Sequence, residues 1–105
     1  MPAMMHKIMP PMPTPTEPDF TIGIEEEYLL VDRTTRDLVT AHPEALFADC
    51  EAMVGDQVAR EFLTSQIEVG TKVHRTARAA GEELKGLRSL VATKAAAYNL
   101  APIAA

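Results

Sequence analysis

Three consecutive glutamates, Glu25, Glu26 and Glu27, interrupt the otherwise apolar segment FTIGIEEEYLLVD. Successive side chains of a β-strand point to opposite faces of the sheet, so a strand here places Glu25 and Glu27 on one face and Glu26 on the other. Two carboxylates about 7 Å apart at their Cα atoms can hold two hard cations, or one cation and a charged substrate. Gly23 lies on the same face as this pair and leaves space beside Glu25 for a ligand or another backbone.

Two environments are open for this acidic run. One is a solvated sheet face, which the composition of the run allows. The other is a strand covered on both faces, which is indicated by apolar residues at both odd and even positions: Ile22, Ile24, Leu29, Leu30 and Val31. A buried carboxylate requires a partner, and a metal ion is a usual one. Glu26, on the face opposite the pair, is expected to be structural and to pair with an arginine.

A second polar pair, Gln66 and Glu68, lies in the segment TSQIEVGT. Alternation places both side chains on one face of a strand, with Ile67 on the other. If this strand neighbours the first, the two strands contribute one cluster of oxygen ligands, formed by Glu25, Glu27, Gln66 and Glu68. Magnesium prefers such ligands when it also holds nucleotide phosphates. Taken alone, Glu68 would be interpreted as an exposed glutamate on an edge strand.

The elements that position these residues follow from periodicity and from turn residues. The segment from Asp19 to Asp32 is rich in β-branched and aromatic residues, which predicts a strand. The polar stretch RTTRD predicts a turn into a short hairpin partner at residues 38–40. A helix is predicted from about Pro43 to Val54, ended by Gly55.

The second half of the chain is predicted to hold a strand, a long helix and a further strand. The period of the segment QVAREFLTSQIEVGT is close to two around Leu63 to Val69, which predicts a second long strand. The run TARAAGEELKGLRSLVATKAAAYNL predicts a helix in which Gly81 and Gly86 mark a close approach to the sheet. The apolar stripe of this helix is predicted to consist of Ala80, Leu84, Leu87, Val91, Ala95 and Tyr98.

The order strand, hairpin, helix, strand, helix, strand predicts an α+β fold, in which helices pack on one face of a mainly antiparallel sheet. The closing segment LAPIAA has the character of a strand that has only begun. The sheet is therefore expected to continue in sequence beyond Ala105.

Composition excludes several classes of function. A net charge of -5 offers no basic surface for nucleic acid, and no apolar run approaches the roughly 20 residues that cross a bilayer. The single cysteine, Cys50, has no second cysteine or histidine at zinc-finger spacing, which favours a buried small apolar role and a reducing compartment. Six of the eight prolines lie within residues 1–18, which are predicted to form a disordered leader rich in methionine and proline.

Four basic residues outside the acidic segments are interpreted as ordinary surface residues. His42 and His74, at a helix start and just after the second strand, are expected to be surface residues. Arg75 and Arg78 are expected to lie on a solvated helix face, although phosphate binding is the alternative for both.

The pair of segments FTIGIEEEYLLVD and EFLTSQIEVGT, followed by the Arg/Leu-rich helix and LAPIAA, resembles the start of the glutamate–cysteine ligase type 2 family, also called the YbdK-like carboxylate–amine ligases. The resemblance covers about residues 19–105, interpreted as the amino-terminal part of the catalytic domain. It implies a partial glutamine-synthetase-like fold, in which an antiparallel sheet forms a funnel and acidic residues hold Mg²⁺ and ATP phosphates.

The resemblance also implies a reaction and residue roles. ATP would activate a glutamate-like carboxylate as an acyl phosphate, which an amine such as that of cysteine then attacks. By position in the family motifs, Glu25, Glu27 and Glu68 are the expected Mg²⁺ ligands, and Gln66 and Thr71 are the expected cofactor-binding residues. The family's chains run to several hundred residues, so this chain is expected to be incomplete and inactive alone.

Two other hypotheses remain. The chain could be a stand-alone, non-enzymatic α+β module that binds divalent cations or a protein partner through its acidic face. A parent protein could also use a different amine, or hydrolyse an amide, on the same scaffold. A cytoplasmic location is expected under the leading hypothesis, and an exposed sheet edge predicts a homodimer as a possible assembly.

Overall fold

The computed structural model describes residues 18–40, 42–60 and 66–104. Within these ranges the strands are β1 (Glu25–Asp32), β2 (Val58–Arg60), β3 (Gln66–Gly70) and β4 (Leu100–Ala104). They form one antiparallel sheet in the order β2-β3-β1-β4. The helices are α1 (Glu44–Val54) and α2 (Ala77–Ala96). The α+β prediction is confirmed, and the predicted leader lies outside the described residues except for Pro18.

The turn after β1 is built by side-chain hydrogen bonds. Asp32 Oδ1 accepts from the backbone N–H groups of Thr34 at 2.8 Å and Thr35 at 2.9 Å. Leu38 then pairs with Val31 as an isolated antiparallel bridge. The predicted polar turn is therefore present, because an aspartate that bonds nearby backbone amides favours a turn over continued strand. The strand predicted from Asp19 begins only at Glu25, and the hairpin partner predicted at residues 38–40 consists of the single bridge at Leu38.

The two segments that carry the acidic motifs are joined by an irregular pairing. Glu25 pairs with Gly70 and Ile22 pairs with His74, so three steps along the first segment match four along the second. The extra residue lies between Gly70 and His74, as in a β-bulge. Thr71 bridges this irregularity, because its Oγ1 accepts from Ile24 N at 2.9 Å and its own N–H donates to Ile24 O at 2.9 Å.

The prediction of one long strand over residues 57–71 is wrong. Val58–Arg60 and Gln66–Gly70 are separate strands that pair antiparallel, with Val58 opposite Val69. The chain reverses direction between Arg60 and Gln66, and Leu63, on which the predicted pattern partly depended, lies outside the described residues. Two strands of a hairpin show the same alternation as one long strand, because the period reports faces and not reversals.

Helix α1 starts after Pro43 and stops at Gly55, whose φ of 59° is open to glycine at little cost. Both ends match the prediction. A single turn of 3-10 helix, Gly55–Gln57, leads into β2. Cys50 is fully buried, as predicted, and burial raises the pKa of its thiol.

Thr76 caps the amino-terminal end of helix α2, since its Oγ1 accepts from Ala79 N at 3.1 Å. Tyr98 lies beyond the helix end and donates its hydroxyl to Asp49 Oδ2 at 2.8 Å. The expected close approach of Gly81 and Gly86 to the sheet is wrong, because a Cβ at either position would meet no atom within 4 Å. The rest of the predicted stripe is confirmed, since the buried residues of α2 are Ala80, Leu84, Leu87, Val91 and Ala95.

Both helices pack on the same face of the sheet, which we call the covered face. The core joins their buried stripes to alternate strand residues, among them Tyr28, Leu30, Val58, Ile67, Val69 and Leu100. The expectation of a strand covered on both faces is not met within the described residues, where Glu25 and Glu27 are exposed. Neither described helix is long and apolar enough to cross a membrane.

Candidate metal centre on the open face of the sheet

The face opposite the helices, which we call the open face, has an acidic end and an apolar end. At the acidic end lie the two exposed glutamates of β1 with the polar residues of β3. At the apolar end, Leu29 and Val31 are half-buried, while Leu38 is 51% and Ile103 44% exposed. The residues of the acidic end are Glu25, Glu27, Glu68 and Gly70, and Gln66 lies opposite Leu29, where the two ends meet.

The predicted adjacency of the two acidic motifs is present in the sheet. β1 and β3 are antiparallel neighbours, and Glu27 lies directly opposite Glu68. Glu25 lies opposite Gly70, and Leu29 lies opposite Gln66. Residues that are partners across a sheet share a face, so the predicted oxygen ligands of both strands project to the same side.

Glu27 and Glu68 also form the more closely spaced type of antiparallel pair. Ile24 O accepts from Thr71 N on the β3 side, and Arg33 N donates to Asn99 O on the β4 side. The backbone groups of successive residues in a strand point to alternate sides, so the even residues of β1 bond to β3 and the odd residues bond to β4. The Glu27–Glu68 pair is therefore a non-hydrogen-bonded pair, in which Cα atoms lie about 4.5 Å apart. Like charges directly opposite each other on paired strands are unfavourable, and a cation shared by the two side chains would offset this cost.

A cleft of about 520 Å³ opens at the end of the acidic side. Glu25, Gly70 and Thr71 form one wall, and Lys72 lies beside them. The other wall is formed by the end of α1 and the turn after it, through Met53, Val54, Asp56 and Gln57. Gln57 spans the two walls, since its Nε2 donates to Gly70 O at 3.2 Å. The charged residues that line the cleft are therefore one lysine, Lys72, and two acids, Glu25 and Asp56.

The predicted cofactor-binding residues occupy different positions. Gln66 is half-buried on the open face, two residues from Glu68 on β3. Thr71 lines the cleft, but its hydroxyl already accepts a hydrogen bond from Ile24 N. This bond joins the two segments at the bulge, so the hydroxyl has a structural role. The structure thus brings four of the five predicted site residues together on one face and places Thr71 at its end.

The donor set fits a magnesium ion. Among the described residues, no three His, Cys, Asp or Glu side chains converge into a metal-binding cluster. Magnesium commonly uses one or two protein carboxylates and completes its octahedron with waters and substrate phosphates. The opposed pair Glu27 and Glu68 supplies two such carboxylates, so the arrangement suits a cation held jointly with a phosphate ligand.

The predicted arginine partner of Glu26 is Arg88 on α2. Arg88 Nε donates to Glu26 Oε1 at 2.6 Å, and Arg88 Nη2 donates to Glu26 Oε2. The buried Tyr28 also donates its hydroxyl to Glu26 Oε1, at 2.5 Å. The hydrogen bond from Arg88 holds the pKa of Glu26 below its usual value, whereas burial and the bond to Glu26 raise the pKa of Tyr28. Sequence reasoning did not identify Tyr28, although its place two residues from Glu26 on the same face was a usable signal.

The two histidines predicted to be surface residues, His42 and His74, are both less exposed than expected. His74 is half-buried, and its Nε2 lies 3.0 Å from Glu83 Oε1, which also accepts from Lys72 N at 2.6 Å. The hydrogen bond with His74 lowers the pKa of Glu83. His42 is half-buried and stacks on a neighbouring phenylalanine ring with centroids 6.2 Å apart, so neither histidine is a plain surface residue.

Arg75 and Arg78 are both exposed, and Arg75 pairs with Asp19. The predicted solvated helix face is confirmed for Arg78, whereas Arg75 is solvated but lies before the first residue of α2.

Comparison with known proteins supports the family resemblance. The chain is 57% identical over 86 residues to a protein of Ruegeria pomeroyi named "putative glutamate--cysteine ligase 2", an alignment that covers 82% of this chain and 22% of the relative. Proteins of the same name match from Rhodospirillum rubrum, at 54% identity over 85% of this chain and 24% of the relative, and from Paracoccus denitrificans, at 51% over 83% and 23%.

The chain therefore spans less than a quarter of the length of these curated relatives. No family model matches it, and no solved structure matches it significantly. The matches rest on whole aligned segments rather than on the two acidic motifs alone.

Proposed function

We propose that this chain, which over the segment it covers belongs to the family of the glutamate–cysteine ligase 2 relatives, forms part of an ATP-dependent carboxylate–amine ligase. The chain supplies the acidic strands on which Mg²⁺ and ATP phosphates bind. The observation that carries the proposal is the opposition of Glu27 and Glu68 on neighbouring strands, with Glu25 on the same face.

The chemistry requires an activated carboxylate, because a carboxylate oxygen is a poor leaving group at neutral pH. In the proposed reaction, a carboxylate oxygen of the glutamate-like substrate attacks the γ-phosphorus of ATP, which releases ADP and gives an acyl phosphate. The amine, such as that of cysteine, then attacks the acyl carbon, phosphate leaves with the bonding electrons, and the amine loses a proton. The net products are an amide, ADP and phosphate.

The residues of this chain act by binding and orientation in this proposal. Glu27 and Glu68 share a Mg²⁺ ion, Glu25 supplies a further carboxylate to metal binding on the same face, and none of the three serves as a nucleophile. Bound Mg²⁺ would neutralise charge on the phosphate oxygens. Gln66 contacts the bound ligand from the same strand as Glu68, while Thr71 and Lys72 at the cleft border the phosphates. The glutamine-synthetase-like funnel, a cytoplasmic location and a homodimer are further parts of the same proposal.

Calorimetric titration of Mg²⁺ into this chain, with and without ATP, tests the metal centre. We expect binding that is stronger with ATP and is lost in a Glu25→Gln/Glu27→Gln variant, because the remaining carboxylate cannot share the cation. Glu82→Gln, which alters an exposed glutamate of α2, is the matched control and should bind as the unmodified chain does. Equal binding by the double variant would refute the assignment.

A chimaera tests the reaction. This chain would replace the matching segment of the Ruegeria pomeroyi relative, and release of ADP would be followed with glutamate and cysteine present. We expect turnover that depends on both amino acids and falls by about 100-fold or more on Glu27→Gln, since the residue binds the group that stabilises transferring phosphoryl charge. Magnesium binding that ATP does not affect, in a chimaera without ligase activity, would favour a cation-binding module instead.

A further inference from the structure

The apolar residues of β1 do not indicate which face of the strand packs against the helices. Tyr28 and Leu30 make the even positions apolar, and Leu29 and Val31 make the odd positions apolar. A shift of one residue in register moves every side chain to the opposite face. The apolar pattern by itself therefore does not strongly fix which of the three glutamates face away from the helices.

The Glu25–Glu27 stretch of β1 is held by backbone pairing and by side-chain contacts. Its pairing with β3 is part of a ladder that spans Glu25 to Leu29. Side-chain contacts with the helices add to this pairing in setting which face each glutamate occupies.

One such contact joins this stretch to a rigid element. Arg88 grips Glu26 through two nitrogens, a planar two-point contact that fixes direction as well as distance. Arg88 follows Leu87, a core residue of α2, so the base of its side chain is anchored by the packing of the helix on the sheet. Tyr28, 5% exposed, supports the same carboxylate from within the strand.

We propose that Arg88 is a positioning residue for the metal-binding carboxylates. By holding Glu26 on the covered face, it keeps Glu25 and Glu27 on the open face with Glu27 opposite Glu68. The inference rests on the proposed function in one respect, that these carboxylates bind metal. Their positions can be measured without metal.

A stabilising role alone would not predict the same results. The side chain of Arg88 is more than half exposed, and ion pairs in contact with water contribute little to global stability. Loss of the pair should therefore act mainly on the local orientation of β1. The decisive measurement reports the distance between residues 27 and 68.

The first experiment measures that distance by cross-linking. Glu27→Cys and Glu68→Cys are introduced in a Cys50→Ala background, and the rate of disulfide formation with oxidised glutathione is measured. A non-hydrogen-bonded pair has the spacing that a disulfide needs, so the bond should form readily. Adding Arg88→Gln should slow its formation about three- to tenfold, whereas Arg78→Gln, on an exposed part of the same helix, should leave it unchanged.

Urea unfolding of each variant shows that the compared samples are folded. If Arg88→Gln does not fold, Arg88→Lys gives the same comparison, since lysine keeps the charge but loses the two-point contact. An unchanged cross-linking rate in the folded variant would overturn the proposal.

The second experiment links position to metal binding. Arg88→Gln should weaken Mg²⁺ binding by about tenfold, as loss of residues that orient metal ligands commonly does. Glu26→Gln should have a similar effect, and the double variant should be no weaker than the more affected single variant, because both changes break one contact. Additive losses would show that Arg88 acts by another route.

The two proposals fail separately. If the unmodified chain binds no Mg²⁺, the metal centre is refuted, whereas the cross-linking rate still decides whether Arg88 positions β1.

Discussion

Glu26 and Glu27 are adjacent in sequence and chemically identical, yet they lie in different environments on the two faces of the sheet. Glu26 lies on the covered face with its side chain 24% exposed, and Arg88 and Tyr28 satisfy both of its oxygens. Glu27 lies on the open face, is exposed, and faces another carboxylate, that of Glu68. On the covered face, Arg88 compensates the charge of Glu26, whereas the open face carries several carboxylates close together.

The difference separates a carboxylate whose charge Arg88 compensates from two carboxylates that lie opposite each other on the open face. An acid held by a two-point arginine contact has its charge already compensated and offers little to a cation. Two acids opposed across neighbouring strands repel each other, and a binding site often carries such a local cost. The helices thus stabilise one face of β1 and leave the other for a ligand.

The largest expected effect separates the apolar residues of the two faces. Ile67→Ala on the covered face should lower the free energy of unfolding by about 2–5 kcal/mol, because a fully buried side chain leaves a cavity. Leu29→Ala on the open face should lower it by about 1 kcal/mol, since Leu29 is half-buried. Urea unfolding checks both values, and equal losses would show that something covers the open face in solution.

A smaller effect concerns the pH dependence of stability. The folded pKa of Glu26 lies below its unfolded value of about 4.3, so its contribution is complete above that pH and is lost as pH falls through the folded pKa. Glu26→Gln should therefore flatten the loss of unfolding free energy between about pH 5 and pH 3. Asp32 and Glu83, whose pKa values are also lowered by hydrogen bonds, should leave part of the slope in place.

The control for this pH series is Glu51→Gln, which changes an exposed glutamate of α1. Its pH profile should match that of the unmodified chain. Parallel profiles for Glu26→Gln and the unmodified chain would contradict a native-state interaction between Glu26 and Arg88.

The smallest expected effect has the opposite sign. Glu27→Gln should raise the free energy of unfolding by about 0.2–1 kcal/mol without divalent cations, because it removes repulsion across the strand pair. Millimolar Mg²⁺ should then stabilise the unmodified chain and not the variant, so the order of stability reverses. Thermal unfolding with and without Mg²⁺ measures both steps, and a destabilising Glu27→Gln would mean that the open face is not under electrostatic strain.

Local patterns predicted most of the elements in this chain. The stripe of α2, the glycine end of α1, the turn after β1 and the strand at Leu100 follow from residue types at short spacing. The same reasoning gave the wrong result for residues 57–71, because alternation does not show where a strand reverses. It also misjudged Gly81 and Gly86, whose open surroundings show that a glycine in a helix need not mark close packing.

The sequence by itself determined which residues share a face, since the periods of strands and helices are set by local backbone geometry. It therefore placed Glu25 with Glu27, Gln66 with Glu68, and Glu26 apart from its neighbours. Only the tertiary structure decided that β3 lies beside β1 with Glu27 opposite Glu68, and that Arg88, 62 residues along the chain, reaches Glu26. Such pairings depend on how helices dock and strands assemble over long chain separations, which residue periodicity does not encode.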